Sequence, residues 1–311
     1  LWLLLAGLLV FTRIIQPDYG ATGVGILLLT SLPFVFAAAG QTIAVISGGI
    51  DLSIAAMITL LSVSAAMLMK GQSEEFGLVA VVLVLALGAG VGAVNGLTIV
   101  VTRVPDIVVT LAFFFIWEGA ALTVTATPDG SSAVWLRDLV IGTVGADFIP
   151  TAISDWLPKA LFLIIIGLAV VWIPLRRARL YLWLYAVGSD RLAAFRSGVP
   201  VNRTRVAAYA ITGLFAAMAG LIITMNTGVG IPVQGPYLLA SVAAVVLGGV
   251  SLAGGKGGFV GPVVAVLILQ LVRQDLTFLQ VDPSIQGVLE GLIMLAVVLV
   301  GATVAMRSRR S

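Results

Sequence analysis

The sequence contains neither cysteine nor histidine, and only 10% of its residues are charged. Each absence excludes something. Without cysteine there is no disulfide, and without either residue there is no Cys/His metal site. An imidazole proton relay and a Ser-His-Asp triad are excluded as well. A soluble chain of this length would carry about a quarter charged residues. With 60% hydrophobic residues and a mean hydropathy of +1.16, most of the surface is suited to the bilayer core. The net charge of +3 is small, and no nucleic-acid partner is expected. No Gly-x-x-x-x-Gly-Lys-[Ser/Thr] occurs, so the chain cannot hydrolyse ATP through a P-loop. Gly254-Gly255-Lys256-Gly257-Gly258 lacks both the spacing and the hydroxyl, and reads as a tight loop. No catalytic residue, metal or cofactor is expected. The first residue is Leu1 rather than Met, so further residues are expected upstream.

What is present is a series of apolar runs. A hydrocarbon core of about 30 Å needs about 20 residues per helix. Ten spans are expected, near 1–15, 24–46, 53–69, 77–101, 107–127, 158–175, 206–226, 238–252, 258–273 and 286–306. The fold class is therefore an all-α membrane protein, a polytopic bundle of about ten transmembrane helices. Several are short enough to be tilted or broken. Residues 1–311 read as a single transmembrane domain.

The basic residues orient it. Arg103, Arg176, Arg177, Arg179, Arg191, Arg196, Arg203, Arg205, Lys256, Arg307, Arg309 and Arg310 fall in alternate loops, 12 of the 17 Lys and Arg. The opposite loops collect Asp18, Glu74, Glu75, Asp129, Asp138, Asp147, Asp155, Asp275 and Asp282. The positive-inside rule then places both termini in the cytoplasm. Two connections are long. Residues 128–157, outside, carry Trp135 and Trp156 as interfacial anchors. Residues 176–205, inside, form the most basic stretch.

Glycines mark three places. Gly88, Gly92 and Gly96 recur every four residues, a spacing that lets two membrane helices approach closely. Residues 44–53 echo residues 244–253, with Ala, Val, Gly, Gly and Leu identical. This is either an internal repeat with Gly-interrupted helices or chance similarity between Gly/Ala/Val-rich segments. Ser47-Gly48-Gly49-Ile50-Asp51-Leu52-Ser53 interrupts an apolar stretch with two glycines and an aspartate. Its backbone must find partners in protein or water. It reads as a hairpin in which Asp51 caps the next helix, or as a pathway or gating element with Ser47, Gly48, Gly49, Asp51 and Ser53.

Asn95, Glu118 and Glu290 are polar groups within apolar spans, where such residues usually face the bundle interior or a water-filled cavity. Trp117 offers an aromatic face to a ligand ring, or ordinary packing. In the inside loop, Asp190 suits the start of a short helix and Gly198 its stop. Leu192 and Phe195, three apart, share one face of that helix, which suits docking on a protein or on lipid headgroups.

These segments together resemble the permease family of ribose-type ABC sugar importers. The family's Ser/Thr-Gly-Gly-Ile-Asp-Leu-Ser stands at Ser47 to Ser53. Its Asn-Gly, basic residue, Pro and Thr-Leu resemble Asn95, Gly96, Arg103, Pro105, Thr110 and Leu111. Its inside loop resembles Ala186, Val187, Gly188, Ala193, Ala194, Gly198 and Val199, and its late glycine motif resembles Ala243 through Gly257. Four motifs in order, from about residue 24 to 300, make the resemblance specific.

The resemblance implies a bacterial inner-membrane permease that forms the pathway for a pentose- or hexose-like sugar. It implies a second permease copy, identical or related, an ABC ATPase subunit that hydrolyses ATP, and a periplasmic substrate-binding protein. It further implies that Gly188, Asp190, Arg191, Ala193, Ala194, Arg196 and Gly198 build the coupling helix. That segment often has a Glu near its centre, where Asp190-Arg191 stand here. A nucleoside is the alternative substrate within the family. An ion-coupled secondary transporter is the alternative outside it, though few intramembrane relay groups exist. A scaffold without transport would gain nothing from broken helices.

Overall fold

A computed structural model describes residues 1–145, 154–233, 235–282, 285–289 and 291–292. The helices are α1 (Trp2–Ile15), α2 (Ala21–Ile46), α3 (Ile54–Met69), α4 (Phe76–Thr102), α5 (Asp106–Val124), α6 (Val134–Val140), α7 (Lys159–Arg177), α8 (Arg179–Ser189), α9 (Arg191–Arg196), α10 (Val201–Thr227), α11 (Tyr237–Leu247) and α12 (Val260–Phe278). No strand occurs among the described residues. α2, α4, α5, α7, α10 and α12 are long and apolar enough to cross a membrane, and α1, α3 and α11 are shorter apolar helices. Nine of the expected spans thus have a helix in place. The tenth, 286–306, falls largely outside the described residues.

Some boundaries differ from expectation, for local reasons. α10 begins at Val201, not near 206, because Arg203 and Arg205 lie within its first two turns. α11 stops at Leu247 because the Gly248-Gly249 pair closes it. The basic loop holds two helices, α8 and α9, where one was expected, and the connection after α5 holds α6.

α2, α3 and α10 form the centre. Every residue from Ser31 to Ser47 and from Ser53 to Val63 is buried, as befits helices apolar on all sides. α10 packs against α4, α2 and α3, while α12 packs against α2, α11 and α1. The glycine row of α4 explains the first contact. A Cβ on Gly88 would sit 2.5 Å from the Gly213 carbonyl, and one on Gly96 would sit 2.8 Å from Val206 Cα. A Cβ on Gly92 would overlap the Tyr209 carbonyl. Backbones touch because no side chain intervenes.

The loops sort into two ends. At one end, residues 46–49, 106, 188–191, 205 and 255 contact one another. At the other, Lys70 pairs with Asp129 at 2.7 Å, Asp129 bridges to Gly230, and Trp135 donates to the Glu74 carbonyl at 2.8 Å. Among the described residues, the loops expected on one side near 47–52, 102–106, 176–205 and 253–257 thus meet at one end.

The α4–α10 seam yields a paired prediction. Gly92→Leu forces the helices apart and is expected to cost at least about 3 kcal/mol. Gly90→Leu, on the open side of the same helix, is expected to stay within about 0.5 kcal/mol. Folded yield and thermal midpoint in detergent, compared between the two variants, check this.

Candidate functional site

The segment Ser47–Ser53 begins where α2 is closed by a paired hydrogen-bond motif. Gly48 adopts φ +81°, its N–H reaches the Val45 carbonyl at 2.9 Å, and the Gly49 N–H reaches Ala44 at 2.9 Å. This is a Schellman closure, for which glycine in the left-handed region is the cheapest residue. The end of α11 is built the same way. Gly249 has φ +81°, its N–H reaches Val246 at 3.0 Å, and the Val250 N–H reaches Val245 at 3.1 Å. The two segments therefore share a helix-ending device. Its register is 201 residues, one more than the sequence echo, since Gly48 corresponds to Gly249 rather than Gly248.

Asp51 is fully buried and follows that closure. Its Oδ1 accepts from the Ser53 N–H at 2.9 Å and from the Ser53 hydroxyl at 2.6 Å. The bond to the N–H two residues on closes an Asx turn ahead of α3; the N-cap of α3 is Ser53, without a side-chain cap, so Asp51 fixes the turn before the helix rather than capping its first N–H groups as expected. Gln41, with its amide oriented to satisfy both groups, pairs with the Asp51 carbonyl (3.0 Å) and N–H (3.3 Å). Burial pushes the Asp51 carboxyl up to about 6, against the lowering effect of its Ser53 hydrogen bonds.

A polar chain runs from Asp51 into the bundle. Asn95 Nδ2 donates to the Ser53 hydroxyl at 2.7 Å, and Trp117 Nε1 donates to Asn95 Oδ1 at 3.1 Å. Trp117 stacks on Phe113 with centroids 5.3 Å apart. Four expected pathway residues, Asp51, Ser53, Asn95 and Trp117, are thus one chain linking α3, α4 and α5. The other candidates lie elsewhere. The Ser47 hydroxyl turns back to the Ala44 carbonyl at 2.8 Å. Glu118 is half-buried and makes no hydrogen bond or ion pair among the described residues. Glu290 lies outside the described residues.

A second cluster joins Gly48 and Gly49 to α9. The Arg205 guanidinium donates to Asp106 Oδ1, and the Tyr209 hydroxyl donates to Asp106 Oδ2 at 3.0 Å. Arg191 donates to the Gly48 carbonyl at 2.8 Å and stands 3.8 Å from Asp106 Oδ2. A side chain on Gly49 would collide with Asp106 and Tyr209, so this glycine makes room for the cluster. A cavity of about 890 Å³ opens here, lined by Arg103, Asp106, Arg191 and Arg205.

α9 is capped at both ends. Asp190 Oδ1 accepts from the N–H groups of Leu192 (2.8 Å) and Ala193 (2.9 Å). Gly198 has φ +80° and closes the helix, with the Val199 N–H on Ala194 at 3.0 Å. Leu192 is 57% exposed and Phe195 69%. Ala193 and Arg196 are exposed as well, while Ala194 and Gly188 are buried. Gly188 presses on the Ile46 carbonyl, which accepts from the Gly255 N–H at 2.9 Å.

The family model for "Branched-chain amino acid transport system / permease component" matches residues 23–298. The chain belongs to this permease family. It is 34% identical to the ribose import permease protein RbsC of Escherichia coli (strain K12), over 85% of this chain and 80% of that one. It is 30% identical to the autoinducer 2 import system permease protein LsrD of Escherichia coli O9:H4 (strain HS), over 86% and 80%. No solved structure matches. The resemblance read from the four motifs is borne out: the chain is a membrane-embedded permease subunit of an ABC importer. The permease is not an enzyme, and such components work with a separate ATPase and a substrate-binding protein.

Sequence reasoning missed Asp106, Tyr209 and Gln41, and it counted Arg205 only as a loop charge. The Asp106–Arg205 pair joins residues 99 apart, a relation that periodicity does not carry.

The buried polar chain yields a prediction. Asn95→Leu orphans both the Ser53 and the Trp117 end and is expected to cost about 1–3 kcal/mol. Trp117→Phe, which removes only the peripheral donor, is expected to cost about 1 kcal/mol. Thermal unfolding in detergent, with both variants side by side, checks the order.

Proposed function

We propose that this permease, paired with a second permease chain, forms the pathway through which an ATP-driven importer moves a small neutral sugar. A periplasmic binding protein would deliver the sugar on the face carrying Lys70, Asp129 and Gly230. α9 would be gripped by the ATPase on the other face, placing both termini in the cytoplasm. The residues 176–205 would form the coupling loop of a single transmembrane domain. The ribose and autoinducer 2 importers among the relatives support the substrate class.

The observation that carries the coupling role is the build of α9. A six-residue helix is marginal alone, since nucleation is unfavourable. Here a cap at each end, an apolar pair turned outward and Arg191 anchored inward make it a rigid projection. A push on α9 passes through Arg191 to the Gly48 carbonyl, where α2 ends, and to Asp106, where α5 begins. Asp106 in turn holds the first turns of α10 through Arg205 and Tyr209. Three helices would thus move with the ATPase. Energy reaches the pathway only through contacts that differ between access states, and Arg191 is placed to make such contacts. Asp190 and Arg191, which replace the usual Glu region, each have a defined position: one caps the helix and the other ties it down.

Gentle extraction of the permease followed by identification of co-purifying chains tests the reading. A P-loop ATPase in stoichiometric amount supports it, and a permease that runs alone even after crosslinking overturns it in favour of an ion-coupled transporter. Ala193→Arg, on the exposed side of α9, is expected to abolish ATPase retention without changing membrane insertion. Arg191→Gln is expected to leave docking intact and lower uptake per ATP hydrolysed about tenfold, the equivalent of about 1.4 kcal/mol. Reconstituted vesicles, scored for both uptake and ATPase rate, separate the two effects.

A further inference from the structure

The face opposite α9 contains an open cavity of about 370 Å³ between α2, α3, α10 and the start of α11. Its volume is in the range that holds a small ligand. Its polar lining is Thr30, Thr59, Ser62, Asn226, Thr227 and Tyr237, with no charged residue among the lining side chains. The Asn226 amide and the Tyr237 hydroxyl have no hydrogen-bond partner among the described residues. The Tyr237 ring leans on Phe34, 4.6 Å between centroids, so it is held in place.

Backbone chemistry adds a second, independent observation. Pro33 lies inside α2 and lines the cavity together with Leu29. Proline has no N–H to give to the carbonyl four residues back, so the Leu29 carbonyl loses its helical donor. At membrane depth a freed carbonyl is tolerated only where protein buries it or a water-filled cavity meets it. Substrate sites in transporters are often built at such helix interruptions. Below, Ser62 and Thr224 hydroxyls bond each other at 2.9 Å, which closes the floor with satisfied groups.

We propose that this cavity is an entry subsite for a neutral polyhydroxylated ring, a monosaccharide, contained within one permease chain. This rests on the sugar-importer reading above. Free amide, phenol and carbonyl groups supply donors and acceptors for ring hydroxyls, while Leu29, Pro33 and the Tyr237 face suit the C–H side of the ring. No lining side chain carries the counter-charge that an amino acid or a phosphorylated sugar would need; Arg273, over the Phe34 ring, stands outside the lining.

The absence of cysteine makes a clean test available. Thr30→Cys, about 14 Å along α2 from its start, and Asn226→Cys, at the cavity mouth, are introduced singly. Leu83→Cys, on the exposed apolar side of α4, is the control. The complete importer in spheroplasts is treated with a membrane-impermeant charged thiosulfonate. Reaction at both cavity positions and none at Leu83→Cys is expected, slowed roughly tenfold by monosaccharide at about ten times its Kd. D-Ribose and D-glucose serve as probes, with L-leucine as the charged comparator. No reaction at Thr30→Cys in a folded importer overturns the cavity. Reaction that no monosaccharide slows, or that leucine slows instead, overturns the ligand class. Uptake of the same labelled sugars by the unmodified importer is read separately. Uptake without protection sinks this subsite alone, and absent uptake sinks the sugar reading itself.

Discussion

Two carbonyl oxygens at the end of α2 hold the α9-bearing face of the permease together. The closure at Gly48 leaves the Ile46 and Gly48 carbonyls without helical donors. Within a membrane protein such groups must be satisfied by the protein itself. Gly255, from the loop after α11, satisfies the first, and Arg191, from α9, satisfies the second. Segments far apart in the chain are thereby joined to one turn of backbone. The glycines matter because the approach is backbone to backbone: a Cβ on Gly254 would sit 2.6 Å from the Gly188 carbonyl and 2.9 Å from Gly48 Cα.

Two polar systems extend from that turn. One is neutral in most of its links and enters the bundle from Asp51 through Ser53 and Asn95 to Trp117. Each link is a hydrogen bond whose loss would strand its neighbour, so the chain ties α3, α4 and α5 in one register. The other is charged and stays at the face, where Asp106 takes both Arg205 and Tyr209. Burying a lone carboxylate there would be costly, and the pairing offsets that cost while linking α5 to α10. The two polar systems thus start from adjacent residues of one motif, Gly48-Gly49 and Asp51-Ser53.

Much of this was legible in the sequence because the bilayer is a demanding solvent. Nine apolar runs became helices, six of them long and apolar enough to cross a membrane, since span length is set by membrane thickness. The glycine row of α4 was readable as a close contact, because spacing alone puts small residues on one face. Asp190 and Gly198 were readable as the ends of a short helix, because caps act within a few residues. Boundaries failed where charge was taken for loop, as at Arg203 and Arg205 inside α10, and where α8 hid in a basic connection.

The sequence by itself determined the all-helical membrane architecture, the alternation of its loops and the family, because period, length and local motifs carry those. Only the tertiary structure decided which polar groups meet. Asn95 and Glu118 look alike as polar interruptions of apolar helices, yet one is the centre of a buried chain and the other stands apart. The one-residue offset between the two helix closures was equally invisible, since Gly48 and Gly49 offer the same side chain but only one takes φ +81°. Helix rotation and crossing set these outcomes, and they follow from the packing of all the helices at once rather than from any one of them.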